Sequence, residues 1–143
     1  MYYWKSHYLP GLSDDAIDLI VDNAWRFSSP DSLTLVSHMR AAIGRHSEDE
    51  TAFSGRDAEF TININCGATD VDLYERDRAW VREWFDALTP HSTGGMYVNF
   101  IPDDSGERAC DVYGESKYHR LSEVKSRYDP HNVLRLNQNI KPA

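Results

Sequence analysis

The pattern of apolar and polar residues predicts an α+β domain, an antiparallel sheet with helices on one face, in the ferredoxin-like βαββαβ order followed by a C-terminal helix. Two segments carry the prediction. Over residues 59–66, Phe60, Ile62 and Ile64 alternate with Thr61, Asn63 and Asn65, the period of a strand with one apolar and one polar face. Over residues 71–88, Leu73, Trp80, Val81, Trp84, Phe85 and Leu88 recur at helical steps before Thr89-Pro90 stops them. At 143 residues the chain is long enough for one domain with a real core.

The remaining elements follow in order. Residues 2–8 are aromatic-rich and read as a strand, and Pro10-Gly11 turns the chain toward a helix capped by Ser13 or Asp14. In that helix Ile17, Ile20, Val21 and Ala24 form one stripe expected to cover the sheet. Residues 32–38, with Leu33, Leu35 and Val36, read as a second strand. Beyond Gly94-Gly95, Met96, Val98 and Phe100 alternate with Tyr97 and Asn99, which predicts a fourth strand. After the loop Pro102-Asp103-Asp104-Ser105-Gly106, a last helix over 115–127 presents Tyr118, Leu121, Val124 and Tyr128 and ends at Asp129-Pro130.

Composition excludes several classes of function. Acidic residues number 23 against 15 basic ones, a net charge of -8, which argues against nucleic-acid and anionic-membrane partners. No apolar run reaches the length of a membrane span, and the N-terminal residues lack a signal-peptide pattern, so a cytoplasmic setting is expected. Cys66 and Cys110 form no Cys-x-x-Cys pair and read as isolated thiols, and the histidines show no metal-ligand spacing, so no metal is expected. The run from His46 to Glu50 reads as a solvated acidic loop.

The tail is the specific part: Tyr113-Gly-Glu-Ser-Lys-Tyr-His-Arg-Leu121, Val124-Lys125, Tyr128-Asp129-Pro130-His131-Asn132, then Arg135-Leu-Asn137-Gln138-Asn139-Ile140 before Pro142. Upstream stand Thr51-Ala52-Phe53, Arg56-Asp57, Trp80, Pro90-His91, Gly94-Gly95 and Tyr97-Val98-Asn99-Phe100. This succession resembles the C-terminal, substrate-side region of the berberine-bridge-type FAD-linked oxidoreductases and extends over nearly all of the chain. The resemblance implies that residues 1–143 are most of the substrate domain and tail of a larger flavoenzyme. It also implies that FAD is gripped by an FAD-binding domain or subunit outside them. No glycine-rich phosphate loop occurs in this sequence.

Site residues are carried over one by one. Tyr113 matches the tyrosine that serves as base in several family members, a role that requires neighbours to lower its pKa from about 10. Thr61, Asn63 and Tyr97 correspond to substrate-side positions, and Asn99 and Asn137 to asparagines that approach the flavin or the domain seam. Asn139 reads as a turn residue. Lys117 departs from the family pattern, which has asparagine before the aromatic residue; it is expected either to disturb a local bond near Tyr113 or to point to solvent. The implied function is oxidation of an alcohol, hemiacetal or related small-molecule substrate by hydride transfer to flavin. The alternative is a stand-alone ferredoxin-like binding module, or an inactive remnant, that forms a homo-oligomer through its sheet face.

Overall fold

The computed structural model describes residues 1–101, 109–136 and 138–143. Three strands, β1 (Tyr2–Leu9), β2 (Leu33–His38) and β3 (Phe60–Gly67), form an antiparallel sheet in the order β1-β3-β2. Helices α1 (Asp14–Asn23) and α2 (Val71–Leu88) interleave with them, and α3 (Ala109–Tyr113) and α4 (Glu115–Tyr128) follow. The placement of β3 between the other two strands follows from its composition. It has apolar residues buried along one face and small polar residues, Thr61 and Asn63, buried along the other.

The register fixes the two faces. Tyr8 stands opposite Thr61, Ser6 opposite Asn63 and Trp4 opposite Asn65, while Leu35 pairs Asn63 from the other side. Cross-strand partners share a face, so Trp4, Ser6, Tyr8, Thr61, Asn63 and Leu35 lie together. Tyr3, Leu9, Ile62, Ile64 and Cys66 lie on the reverse face, where Trp80, Val81, Trp84 and Leu88 of α2 complete the main core. His7 sits on that side as well, stacked on Phe85 with ring centroids 3.9 Å apart, its Nε2 donating to the Phe85 carbonyl over 2.9 Å. Burial pushes the Cys66 thiol up to about 11, which leaves it un-ionised at neutral pH, a core residue as its isolation in the sequence suggests.

Helix termini follow the sequence closely. Ser13 caps α1 by accepting from the Ala16 amide over 3.2 Å, and Asp70 caps α2 by accepting from Leu73 over 2.9 Å. The buried stripe of α1 is different from the expected one. Ala16 is buried and Leu19, Ile20 and Ala24 are partly so, whereas Ile17 and Val21 are exposed. The helix docks against α2 rather than lying flat on the sheet, which rotates its covered face by one residue.

The expected fourth strand at Met96–Phe100 is absent. In a ferredoxin-like sheet a last strand would add beside β1, and the chain does approach that edge. The Thr93 amide donates to the Tyr8 carbonyl over 2.9 Å, and the Tyr8 amide to the Gly95 carbonyl over 3.2 Å. Pairing stops there. Gly94, at φ +84°, turns the chain, and residues 98–100 close a 3₁₀ turn with the Phe100 amide bonded to Tyr97 over 2.9 Å. Packing of Tyr97 against Phe53 and Phe100 wins over the strand pattern of this short run.

The last helix starts and ends where expected, but only part of its expected stripe is covered, Tyr118 and Leu121 being half-buried. Val124 and Tyr128 are exposed, and the buried residues of α4 are Lys117 and Ser122. The loop from Pro102 to Gly106 lies outside the described residues, as does Asn137. Among the described residues no helix is long and apolar enough to cross a membrane, and no cluster of His, Cys, Asp and Glu could hold a metal ion.

A buried carboxylate absent from the sequence argument ties the layers together. Asp77 of α2, 1% exposed, accepts from the Ser28 and Ser29 amides over 2.6 and 2.9 Å and from the Ser32 hydroxyl over 2.7 Å. Ser32 Oγ in turn accepts from the Gly67 amide over 3.2 Å, so the entry to β2 and the end of β3 are both fixed to α2.

Candidate functional site

The site forms where the face of the sheet opposite α2 meets the C-terminal helices. A cleft of about 400 Å³ is lined by Trp4 of β1, Val98, Asn99 and Ile101 of the 3₁₀ segment, Tyr113 at the end of α3, and Leu136 and Gln138 of the tail. Gly114 places Tyr113 there. Its φ of +74° is open to glycine and turns the chain between α3 and α4. Gln138 is held by its Nε2, which donates to the Ile101 carbonyl over 3.2 Å.

Of the residues expected from sequence, the structure brings Asn99 and Tyr113 to this cleft. Tyr97 stands behind them. Its hydroxyl accepts from Asn99 Nδ2 over 2.7 Å, and its ring packs on Phe53 at 5.9 Å and on Phe100 at 5.1 Å. Thr61 is buried and its hydroxyl donates to the His7 carbonyl over 3.3 Å, so it is engaged with the sheet itself. Asn63 is 3% exposed, with Oδ1 lacking a partner among the described residues. Thr61 and Asn63 are therefore buried within the sheet face rather than on an open surface, and neither lines the cleft. Asn137 lies outside the described residues. Asn139 is half-buried with its Oδ1 unpartnered among them.

Sequence reasoning missed Trp4, Ser6 and Gln138. The parity of β1 holds the signal for the first two, since Trp4, Ser6 and Tyr8 must share a face once Tyr3 and Leu9 face the core. Each of these three side chains carries a buried polar atom without a partner among the described residues: Trp4 Nε1, Ser6 Oγ and Tyr8 Oη. With Asn63 Oδ1 they make a group of unsatisfied polar atoms on one sheet face. Each costs about 1–3 kcal/mol unless a water or ligand supplies the missing bond.

Electrostatics at the cleft favour neutral groups. Burial, together with the nearby Tyr97, raises the Tyr113 phenol above its ordinary value, and burial does the same to Tyr8. The expectation that neighbours lower the Tyr113 pKa is thus reversed among the described residues: no cation lines the cleft, and Tyr113 stands as a phenol at neutral pH. Lys117, the nearest lysine along the chain, is turned away. Its ammonium contacts Glu48 Oε1 and donates to the Phe53 carbonyl over 2.9 Å and to Ser54 Oγ over 3.1 Å. Lys117 therefore does not point to solvent.

A model of the family described as berberine and berberine like matches residues 96–141, the stretch that contains Asn99, Tyr113 and the tail. This chain matches the C-terminal, substrate-side region of the berberine-bridge-type FAD-linked oxidoreductases. It is 33% identical over 102 residues to the uncharacterized FAD-linked oxidoreductase YvdP of Bacillus subtilis, an overlap of 71% of this chain and 22% of that protein. It is 29% identical over 108 residues to the chitooligosaccharide oxidase of Gibberella zeae, again with 71% of this chain and 22% of the relative covered. The fold agrees with that of Physcomitrella patens BBE-like 1 at a TM-score of 0.81 and 24% identity, covering 100% of this chain and 31% of that one. The chain thus spans about a fifth of the length of the curated relatives it matches.

Proposed function

We propose that this chain supplies the substrate-side wall of an FAD-dependent oxidoreductase acting on an alcohol, hemiacetal or related small molecule, with the flavin held by an FAD-binding domain or subunit. The observation that carries the reading is the cleft itself. Asn99 and Tyr113, assigned from the family motif, converge with Trp4 on one space of about 400 Å³, within the size range of small-molecule sites. Within the cleft the Trp4 indole stands with the polar groups of Asn99, Tyr113 and Gln138, a lining that suits a planar heteroaromatic group or its substrate with polar atoms at the edge. The described residues fit the ring side of FAD and not its phosphates. Exposed Leu33, Leu35 and Leu136 suit a surface that meets another part of a larger protein.

FAD, when bound, supplies the acceptor for the hydride. The chain's own residues orient the substrate. Asn99 offers an amide that can donate and accept, its position set by the bond to Tyr97. Tyr113 meets the substrate hydroxyl, and removal of the hydroxyl proton falls to its phenolate form. Val98, Ile101 and Leu136 narrow the space available to water.

The experiment is co-expression with the part of YvdP that lies outside the matched region. The expected product is a yellow complex that turns over members of an alcohol and sugar panel. A chain that neither co-purifies with that part nor changes its flavin spectrum would overturn the reading.

A further inference from the structure

The residues around Lys117 form a unit that the functional reading does not use. A lysine side chain that is 6% exposed is unusual, and this one is satisfied by three oxygens of a single loop: Glu48 Oε1, the Phe53 carbonyl and Ser54 Oγ. Glu48 also closes that loop on itself, accepting from the Gly55 amide over 3.3 Å and the Arg56 amide over 3.1 Å. Burial alone would raise the Glu48 carboxyl, but Lys117 and these amides outweigh it and hold the group below its ordinary value, so Glu48 is a carboxylate at neutral pH. One turn along α4, Arg120 Nη1 reaches the Asp49 carbonyl of the same loop over 3.2 Å.

The loop so held packs on residues that stand behind the cleft lining. Gly55, at φ +86°, lies so close to Tyr8 that a Cβ there would meet the ring at 2.3 Å. Phe53, whose carbonyl Lys117 binds, packs on the Tyr97 ring, and the Tyr97 hydroxyl accepts from Asn99, which lines the cleft. From the other direction, Lys117 stands in the first turn of α4, directly after the Gly114 turn that presents Tyr113.

We propose that Lys117 is a positioning residue for the cleft, holding the loop of residues 48–54 so that Phe53 sets Tyr97 and Asn99 on one side and α4 sets Tyr113 on the other. The proposal deepens the functional reading, but its geometric content is independent of flavin. The apolar strip of Val124, Tyr128, Val133 and Leu134 on the outer side of α4 and the tail carries no comparable inference, since nothing in the structure shows what covers it.

The test uses the chain labelled with 3-fluorotyrosine and read by ¹⁹F NMR, with the Tyr97, Tyr113 and Tyr3 resonances assigned by Tyr→Phe replacement. Lys117→Met removes the ammonium and keeps the alkyl stem. It is expected to shift the Tyr97 and Tyr113 resonances in the folded protein and to leave Tyr3, on the opposite face, in place. Lys117→Arg is expected to return both toward their wild-type positions. Wild-type positions for Tyr97 and Tyr113 in folded Lys117→Met, even with a lowered Tm, would reduce Lys117 to a packing role and overturn the proposal. Should Lys117→Met fail to fold, Glu48→Gln, which keeps an acceptor and loses the charge, decides by the same shifts. Because no cofactor enters this measurement, it can succeed while the oxidoreductase reading fails, and the reverse.

Discussion

Tyr113→Phe is expected to slow substrate oxidation in the assembled enzyme by about 10²-fold or more, the range in which a positioned proton-transfer group contributes. The substitution removes only the hydroxyl, and the ring that lines the cleft remains. The pH dependence separates proton removal from mere contact. A base acts in its deprotonated form, and burial together with Tyr97 pushes the Tyr113 phenol above its ordinary value of about 10. The phenolate is therefore a small minority at neutral pH, and its fraction grows tenfold per pH unit. Wild-type turnover should climb through pH 8 and 9 toward a midpoint above 10, and Tyr113→Phe should flatten the climb. A cation contributed by another part of the complex would move the midpoint down without abolishing the slope. Stopped-flow rates of both proteins across that range decide it, and equal rates would remove Tyr113 from proton transfer.

The second large effect is on stability. Asp77→Ala is expected to cost about 3 kcal/mol, because it strands two backbone amides and a serine hydroxyl that are bonded to a buried carboxylate. Asp77→Asn should recover only part of this, having one oxygen where three donors converge. The effect depends on pH in a defined direction. Burial would raise the Asp77 carboxyl, but bonds from Ser32, Ser29 and Ser28 outweigh it and lower the folded-state value below that of the unfolded chain. The contribution is therefore complete above the unfolded value of about 3.9 and is lost as pH falls through the lower folded one. Urea denaturation at pH 7 and near pH 3 should show the gap between wild type and Asp77→Asn narrowing at the acid end. A constant gap would mean that the charge is not what Ser28, Ser29 and Ser32 respond to.

How much of this was legible in the sequence depends on the kind of information each element requires. The alternation in β3 and the recurrence in α2 are properties of single segments, and their faces came out as read, with Ile62 and Ile64 against Trp80, Val81 and Trp84. A stripe on α1 or α4 says only that a face is apolar. Which neighbour covers it is a tertiary matter, so Val21 and Val124 emerged exposed and Ser122 buried. Over residues 96–100 the alternation is too short to outvote the packing of Tyr97 on Phe53, a residue more than forty positions away. The same holds at the site. Asn99 and Tyr113 were reachable because the motif that carries them is contiguous, while Trp4 belongs to the cleft only through the register of β1 on β3. Asp77 carried no signal in the sequence and Lys117 stood only as a departure from the family pattern, and only the loops that converge on them make them buried and bonded.

In the proposed function the sheet face opposite α2, with its cleft, meets a flavin ring. A titration of the ¹⁵N-labelled chain with FMN tests it most directly, since indole and side-chain amide signals report on the residues in question. Saturable shifts of Trp4 Nε1–H and of the Asn63, Asn99 and Gln138 amides, with Trp80 and Trp84 on the α2 side unchanged, are the predicted result. Shifts confined to the α2 side, or no saturable shift at Trp4 and Asn99, would contradict it.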